Sequence, residues 1–98
     1  MAAPEKFLVE LYVAKGDSAA VEDGGERLRR AAEEVSRHGQ PVRYVRSIFV
    51  PEDETCFHVL EASSRERLEE TARRAAVAYE RIAAAAESVA GETTERSA

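Results

Sequence analysis

The chain reads as a single α+β domain of order βαββαβ, a split βαβ arrangement whose antiparallel sheet is covered on one face by two helices. Three observations point there. KFLVELYVA, residues 6–14, alternates Phe7, Val9, Leu11 and Val13 on one side with Leu8, Glu10 and Tyr12 on the other, the period of a strand with one buried face. A polar, Pro-led turn, PEDET, separates two runs rich in β-branched and aromatic residues. Two further stretches combine a capping-box spacing with apolar residues at helical intervals.

Each element follows from its own residues. After the first strand, GDSAAVEDGGER contains the pair Gly24-Gly25, which resists a continuous helix, while Asp23 and Glu26 have capping-box spacing; the first helix is therefore expected from about Gly24. Leu28, Ala31, Ala32 and Val35 form its buried stripe, Gly39 supplies a left-handed stop, and His38 complements the helix end. VRYVRSIFV, after Pro41, is the second strand, and its imperfect alternation suggests cover on both sides. PEDET then turns the chain back into TCFHVLEA as an antiparallel hairpin. Ser63 and Glu66 cap a second helix whose buried stripe is Leu68, Ala72, Ala75, Ala76 and Tyr79. Propensity would carry that helix through residues 80–89, since Ala is the best helix former, but the sheet lacks one strand and this segment alone can supply it. An edge strand is expected there, within a domain spanning residues 1–90, with 91–98 a disordered tail.

The 98 residues include 34% charged side chains, and the formal net charge of −5 repels a phosphate backbone, so nucleic acid is not an expected partner. The single cysteine cannot close an internal disulfide, and the N-terminal stretch has no apolar run long enough for a signal peptide or a membrane span; no membrane association and a cytoplasmic location are expected. A chain this short buries a small core, and homodimerisation is the common remedy.

The run from Val42 to Ala76, with Glu10 in the first strand, Arg46-Ser47 in the second, Glu61-Ala62 closing the third and Arg73-Arg74-Ala75 late in the second helix, resembles the small bacterial family called domain of unknown function 4242, over roughly residues 7–82. Some members of that family are described as nickel-binding. The resemblance implies a ferredoxin-like fold and a homodimer. The nickel-binding branch carries histidines in the second strand and second helix where this chain has Arg46, Ala72 and Val77, none of which coordinates a metal. No cofactor is expected, and Cys56 and His58 are the remaining weak candidates for nickel.

Cys56 and His58 share a strand face with Leu60 and Ala62, so they read as a packed thiol and a hydrogen-bonded ring beneath the helices; as metal ligands they are only two. Glu61, with Phe57 and Val59, falls on the opposite, open face. There it is expected to lie near Glu10 on the neighbouring strand and to pair with Arg46. Glu10, Tyr12, Tyr44, Arg46 and Glu61 are the candidate ligand-binding residues, and no catalytic residue is assigned. The favoured function is a dimeric ferredoxin-like module binding a small molecule. The alternatives are a cofactor-independent enzyme that uses Glu10 or Glu61 as general base with Tyr12 or Tyr44 positioning the substrate, or weak nickel binding. The absence of a nucleophile with a placed base, or of a phosphate-cradling glycine loop, favours binding over catalysis.

Overall fold

A computed structural model of the chain describes residues 3–88; the expected tail at 91–98 lies outside them. The elements run β1 (Glu5–Tyr12), α1 (Ser18–Arg37), β2 (Val42–Val50), a 3₁₀ turn at Pro51–Asp53, β3 (Thr55–Ala62), α2 (Arg65–Arg74) and β4 (Arg81–Ala85). The sheet order is β2-β3-β1-β4 with every pairing antiparallel, which is compatible with a ferredoxin-like fold. Among the described residues, no helix is long and apolar enough to cross a membrane.

One face of the sheet carries the core. Phe7 and Val9 of β1, Leu60 and Ala62 of β3, Leu28, Ala32 and Val35 of α1, and Leu68 and Ala72 of α2 are all buried in one cluster. Their spacing is the reason these segments take their forms, because only the helical and strand periods place them together on that face. A second, smaller cluster of Val13, Val21 and Cys56 lies towards the start of α1.

The first helix begins a turn and a half before the expected position. Asp17 is its N-cap, its carboxylate accepting from Ala20 N at 3.1 Å, and Asp23 instead pairs with Arg27 at 2.8 Å along the helix surface. Gly24 and Gly25 therefore sit inside the helix rather than before it, both buried. Gly39 does not adopt a left-handed conformation. His38 closes the helix through its backbone N–H to Val35 O at 3.0 Å, and the Arg67 guanidinium occupies the space a side chain at Gly39 would need.

In β2, a register shift between Tyr44 and Arg46 explains the broken alternation. Before it, Val42 and Tyr44 face the helices; after it, Ser47 and Phe49 do, because Val45 is bulged out of the ladder. The pattern thus records a change of phase, not cover on both faces. The hairpin into β3 closes through Glu54 in the left-handed region (φ 49°), whose carbonyl accepts from Val13 N at 3.0 Å.

Ser64, not Ser63, caps α2, its hydroxyl accepting from Arg67 N at 3.3 Å. The helix stops at Arg74 because Ala76 turns left-handed (φ 57°), so Ala76 and Tyr79 are exposed rather than part of a buried stripe. The signal for this ending lies in α1. Arg27 donates from Nε to Ala75 O at 2.9 Å and from a second nitrogen to Ala76 O, satisfying carbonyls that a continuing helix would have used itself. Released from the helix, the alanine-rich segment pairs with β1 as the edge strand expected of it, Ile82 opposite Val9 and Ala84 opposite Phe7. Arg65 holds it there, donating to Ile82 O at 2.7 Å.

Candidate functional site

The two faces of β3 carry different chemistry. Cys56, His58, Leu60 and Ala62 are all fully buried under the helices, and Glu61 points the other way at the sheet surface. Val59 also belongs to the open face by parity, yet it is 3% exposed, flanked by Leu8 and Arg46 in the register.

The open-face candidates do not converge. Glu10 stands opposite Phe57, four positions along β3 from Glu61, a separation of about 13 Å at strand rise. Glu10 is bound by Arg81 Nε at 2.9 Å. Glu61 is held by Arg43 at 3.0 Å and Lys6 at 3.4 Å, while Arg46 reaches Glu87 at 3.3 Å instead of Glu61. The expected Glu10–Glu61 pairing and the Arg46–Glu61 ion pair are therefore not formed: cross-strand register places a cation beside each carboxylate. Burial works to raise the Glu61 carboxyl, but Arg43 and Lys6 together hold it below its ordinary value.

Tyr44 is half-buried, on the helix side and packed against the core. Its hydroxyl shares a hydrogen bond of 2.6 Å with Ser47 Oγ, which lies 2.6 Å from His58 Nδ1; His58 Nε2 is 3.6 Å from Cys56 Sγ. The bulge makes this chain possible, since residues three apart on a regular strand face opposite sides. Burial pushes the His58 imidazole down to about 4 and the Cys56 thiol up, so at neutral pH both are uncharged. A neutral imidazole has one donor and one acceptor nitrogen, matching a hydroxyl on one side and a thiol on the other.

The glycine pair belongs to this arrangement. A Cβ at Gly25 would lie 2.7 Å from the Tyr44 hydroxyl and 3.0 Å from Ser47 Oγ, and one at Gly24 would lie 3.0 Å from His58 Nε2. Helix α1 crosses the polar chain at the point where it has no side chains. By local propensity these glycines read as a helix boundary, whereas their reason is a contact with Tyr44, Ser47 and His58, residues far along the chain on other elements.

Beside this chain, a cleft of about 410 Å³ opens between the end of β1, the first half of α1 and the segment joining α2 to β4. Leu11, Val13, Ala20 and Val77 give it apolar walls, and Tyr12, Asp23 and Arg27 are among its polar lining. Of the sequence candidates only Tyr12 reaches it. Nothing in the sequence marks the cleft itself, because its walls come from three separated segments.

Nickel does not fit the residues present. Among the described residues, no group of three or more His, Cys, Asp or Glu side chains is placed to hold a metal ion. Cys56 and His58 are fully buried, and both ring nitrogens of His58 already have neighbours. Comparison of the chain with protein-family models, curated proteins and solved structures finds no match in any of the three.

Proposed function

We propose that this protein is a ferredoxin-like module of the kind its resemblance to domain of unknown function 4242 implies, self-associating as a homodimer and binding a small molecule without a metal. The observation that carries the binding reading is the cleft, whose volume of about 410 Å³ falls within the range of small-ligand pockets and whose walls are mainly apolar with a few polar groups. Catalysis by the open-face carboxylates is the weaker reading, because Glu61 is stabilised in its ionised form by two cations and is a poorer base for it.

The test uses the neutral fluorescent probe N-phenyl-1-naphthylamine. Saturable binding at one site per chain is expected. Ala20→Trp and Ala78→Trp place an indole on opposite walls of the cleft at exposed positions, and each should weaken binding at least about tenfold while leaving the folded spectrum intact. Probe binding unaffected by either substitution would remove the cleft as the ligand site.

For the dimer, the support is the composition of the open face. Its charges are already paired within the chain, Glu10 with Arg81, Glu61 with Arg43 and Lys6, Arg46 with Glu87, which leaves the face near neutrality and able to lose water. Between the pairs, Ile48 is 45% exposed, and the same face of a second copy is its natural cover. Light scattering should give twice the 10.8 kDa chain mass. Ile48→Glu should halve it, and a wild-type mass of one chain at micromolar concentration would overturn the dimer.

A further inference from the structure

The polar chain and the cleft approach each other at Gly24. It lines the cleft, and beyond its own helix and chain neighbours the position of its missing Cβ meets only the His58 ring, at 3.0 Å from Nε2 and 3.4 Å from Cε1. No side chain stands at that point between the cleft wall and the imidazole. Leu11, another wall residue, is paired with Cys56 across the β1–β3 ladder. Neither Cys56 nor His58 lines the cleft itself, but Gly24 and Leu11, which do, are their immediate neighbours, whereas Gly25, the neighbour of Tyr44 and Ser47, is not part of the wall.

On the Nδ1 side, His58 is fixed by Ser47 at 2.6 Å, which is in turn fixed by Tyr44 at 2.6 Å. On the Nε2 side its neighbour is a thiol at 3.6 Å, a weak partner for a nitrogen donor or acceptor. One edge of the ring is held tightly and the other loosely. A fully buried imidazole with that asymmetry, in a core that is mainly apolar, is a costly arrangement, and two mid-helix glycines, the poorest helix formers after proline, accommodate it. Departures from local consistency of this kind concentrate at functional sites.

We infer that His58 is the hydrogen-bonding residue of the cleft, and that its ligand is a small neutral molecule with an apolar body and one hydroxyl or carbonyl group, of which a simple phenol is the type. The inference rests on the cleft being the ligand site. The body lies against Leu11, Val13 and Val77, and the polar group passes Gly24 to exchange the weak thiol contact at Nε2 for a stronger one. Because the imidazole is fully buried in the free protein, the first turns of α1 must move outward to admit it. The only buried residue of α1 before Gly24 is Val21, packed in the small cluster with Val13 and Cys56, so that end of the helix is the less firmly held. Tyr44 and Ser47 act as positioning residues that keep the ring oriented with Nε2 towards the cleft.

Two neutral probes separate the parts of this reading: p-cresol, and toluene, which lacks its hydroxyl. Both should displace N-phenyl-1-naphthylamine from the wild-type protein, with p-cresol binding about fivefold or more tighter through the one added hydrogen bond. In ¹⁵N spectra of the two histidines, p-cresol should shift the His58 ring nitrogens along the same saturation curve, and toluene should not; His38→Gln assigns the signals. His58→Leu should bind the two probes equally. If that variant fails to fold, Gly24→Ala serves, since its methyl group closes the approach to Nε2 and should abolish the preference for p-cresol. Displacement of the naphthylamine by both probes with equal affinity, or with unmoved His58 signals, overturns the role of His58 and leaves the cleft standing. Insensitivity of the naphthylamine itself to Ala20→Trp and Ala78→Trp overturns both.

Discussion

Lowering the pH from 7.5 to 5 is expected to remove about 2 kcal/mol of folding stability through His58 alone. The folded imidazole titrates at about 4 because burial disfavours its charged form, against an ordinary value of 6.5 in the unfolded chain. The sign follows from proton uptake. Above pH 6.5 neither state binds the proton and the full stability is present; between 6.5 and 4 the unfolded chain binds it and the folded chain does not, so stability falls; below 4 the loss is complete. Carboxylates held down by neighbouring cations, Glu26 by Arg29 and Arg30 and Glu87 by Lys6 and Arg46, lose their contribution only as pH falls below the ordinary carboxyl value of 4.5. Most of the change between pH 7.5 and 5 therefore comes from the histidine. Urea unfolding at a series of pH values measures it, and His58→Gln should flatten the slope in this interval while lowering stability at pH 7.5. A wild-type midpoint that does not move between these pH values would mean that the folded ring takes up its proton over the same range as the unfolded chain.

The second large effect is expected at Gly25. By helix propensity alone, Gly25→Ala should stabilise an interior helical position by about 1 kcal/mol. The added methyl group would instead lie 2.7 Å from the Tyr44 hydroxyl and 3.0 Å from Ser47 Oγ, two groups locked together by a short hydrogen bond, so neither yields freely. Net destabilisation of about 1–3 kcal/mol is expected, the range of overpacking in a close-packed interior. Tyr44→Phe removes the obstructing oxygen and costs its own hydrogen bond. Combined with Gly25→Ala, it should cost less than the sum of the two, by about 1 kcal/mol or more. Denaturant midpoints of the four proteins decide this. Additivity within the error of the measurement would show that Gly25 and the Tyr44 hydroxyl do not compete for space.

Both predictions concern residues whose significance is only partly legible in the sequence. Period-two alternation placed β1 and β3 and the burial of Phe7, Val9, Cys56 and His58, because in a strand the burial of one residue dictates that of its alternate neighbours. The count of strands an antiparallel sheet needs made residues 81–85 a strand against their alanine-rich propensity. What misled was local preference wherever a distant residue overrides it. Gly24 and Gly25 read as a break but are the close approach of a helix to a polar chain. The alanines after Arg74 read as more helix, but Arg27 takes two carbonyls there and Ala76 turns left-handed.

The candidate site shows the same division. From residue types and parity, the sequence by itself determined that β3 has a polar outer edge at Glu61 and a buried thiol and imidazole on its inner face. Which groups those residues meet was decided by register and by one bulge. Antiparallel pairing sets Glu10 against Arg81 and Glu61 against Arg43 and Lys6, so the two carboxylates are neutralised separately instead of sharing a site. The bulge at Val45 turns Tyr44 and Ser47 to the same side and joins them to His58. Alternation fixes only the face to which a residue belongs, whereas neighbours across strands depend on how far each strand slides before pairing, and that is set by packing over the whole sheet.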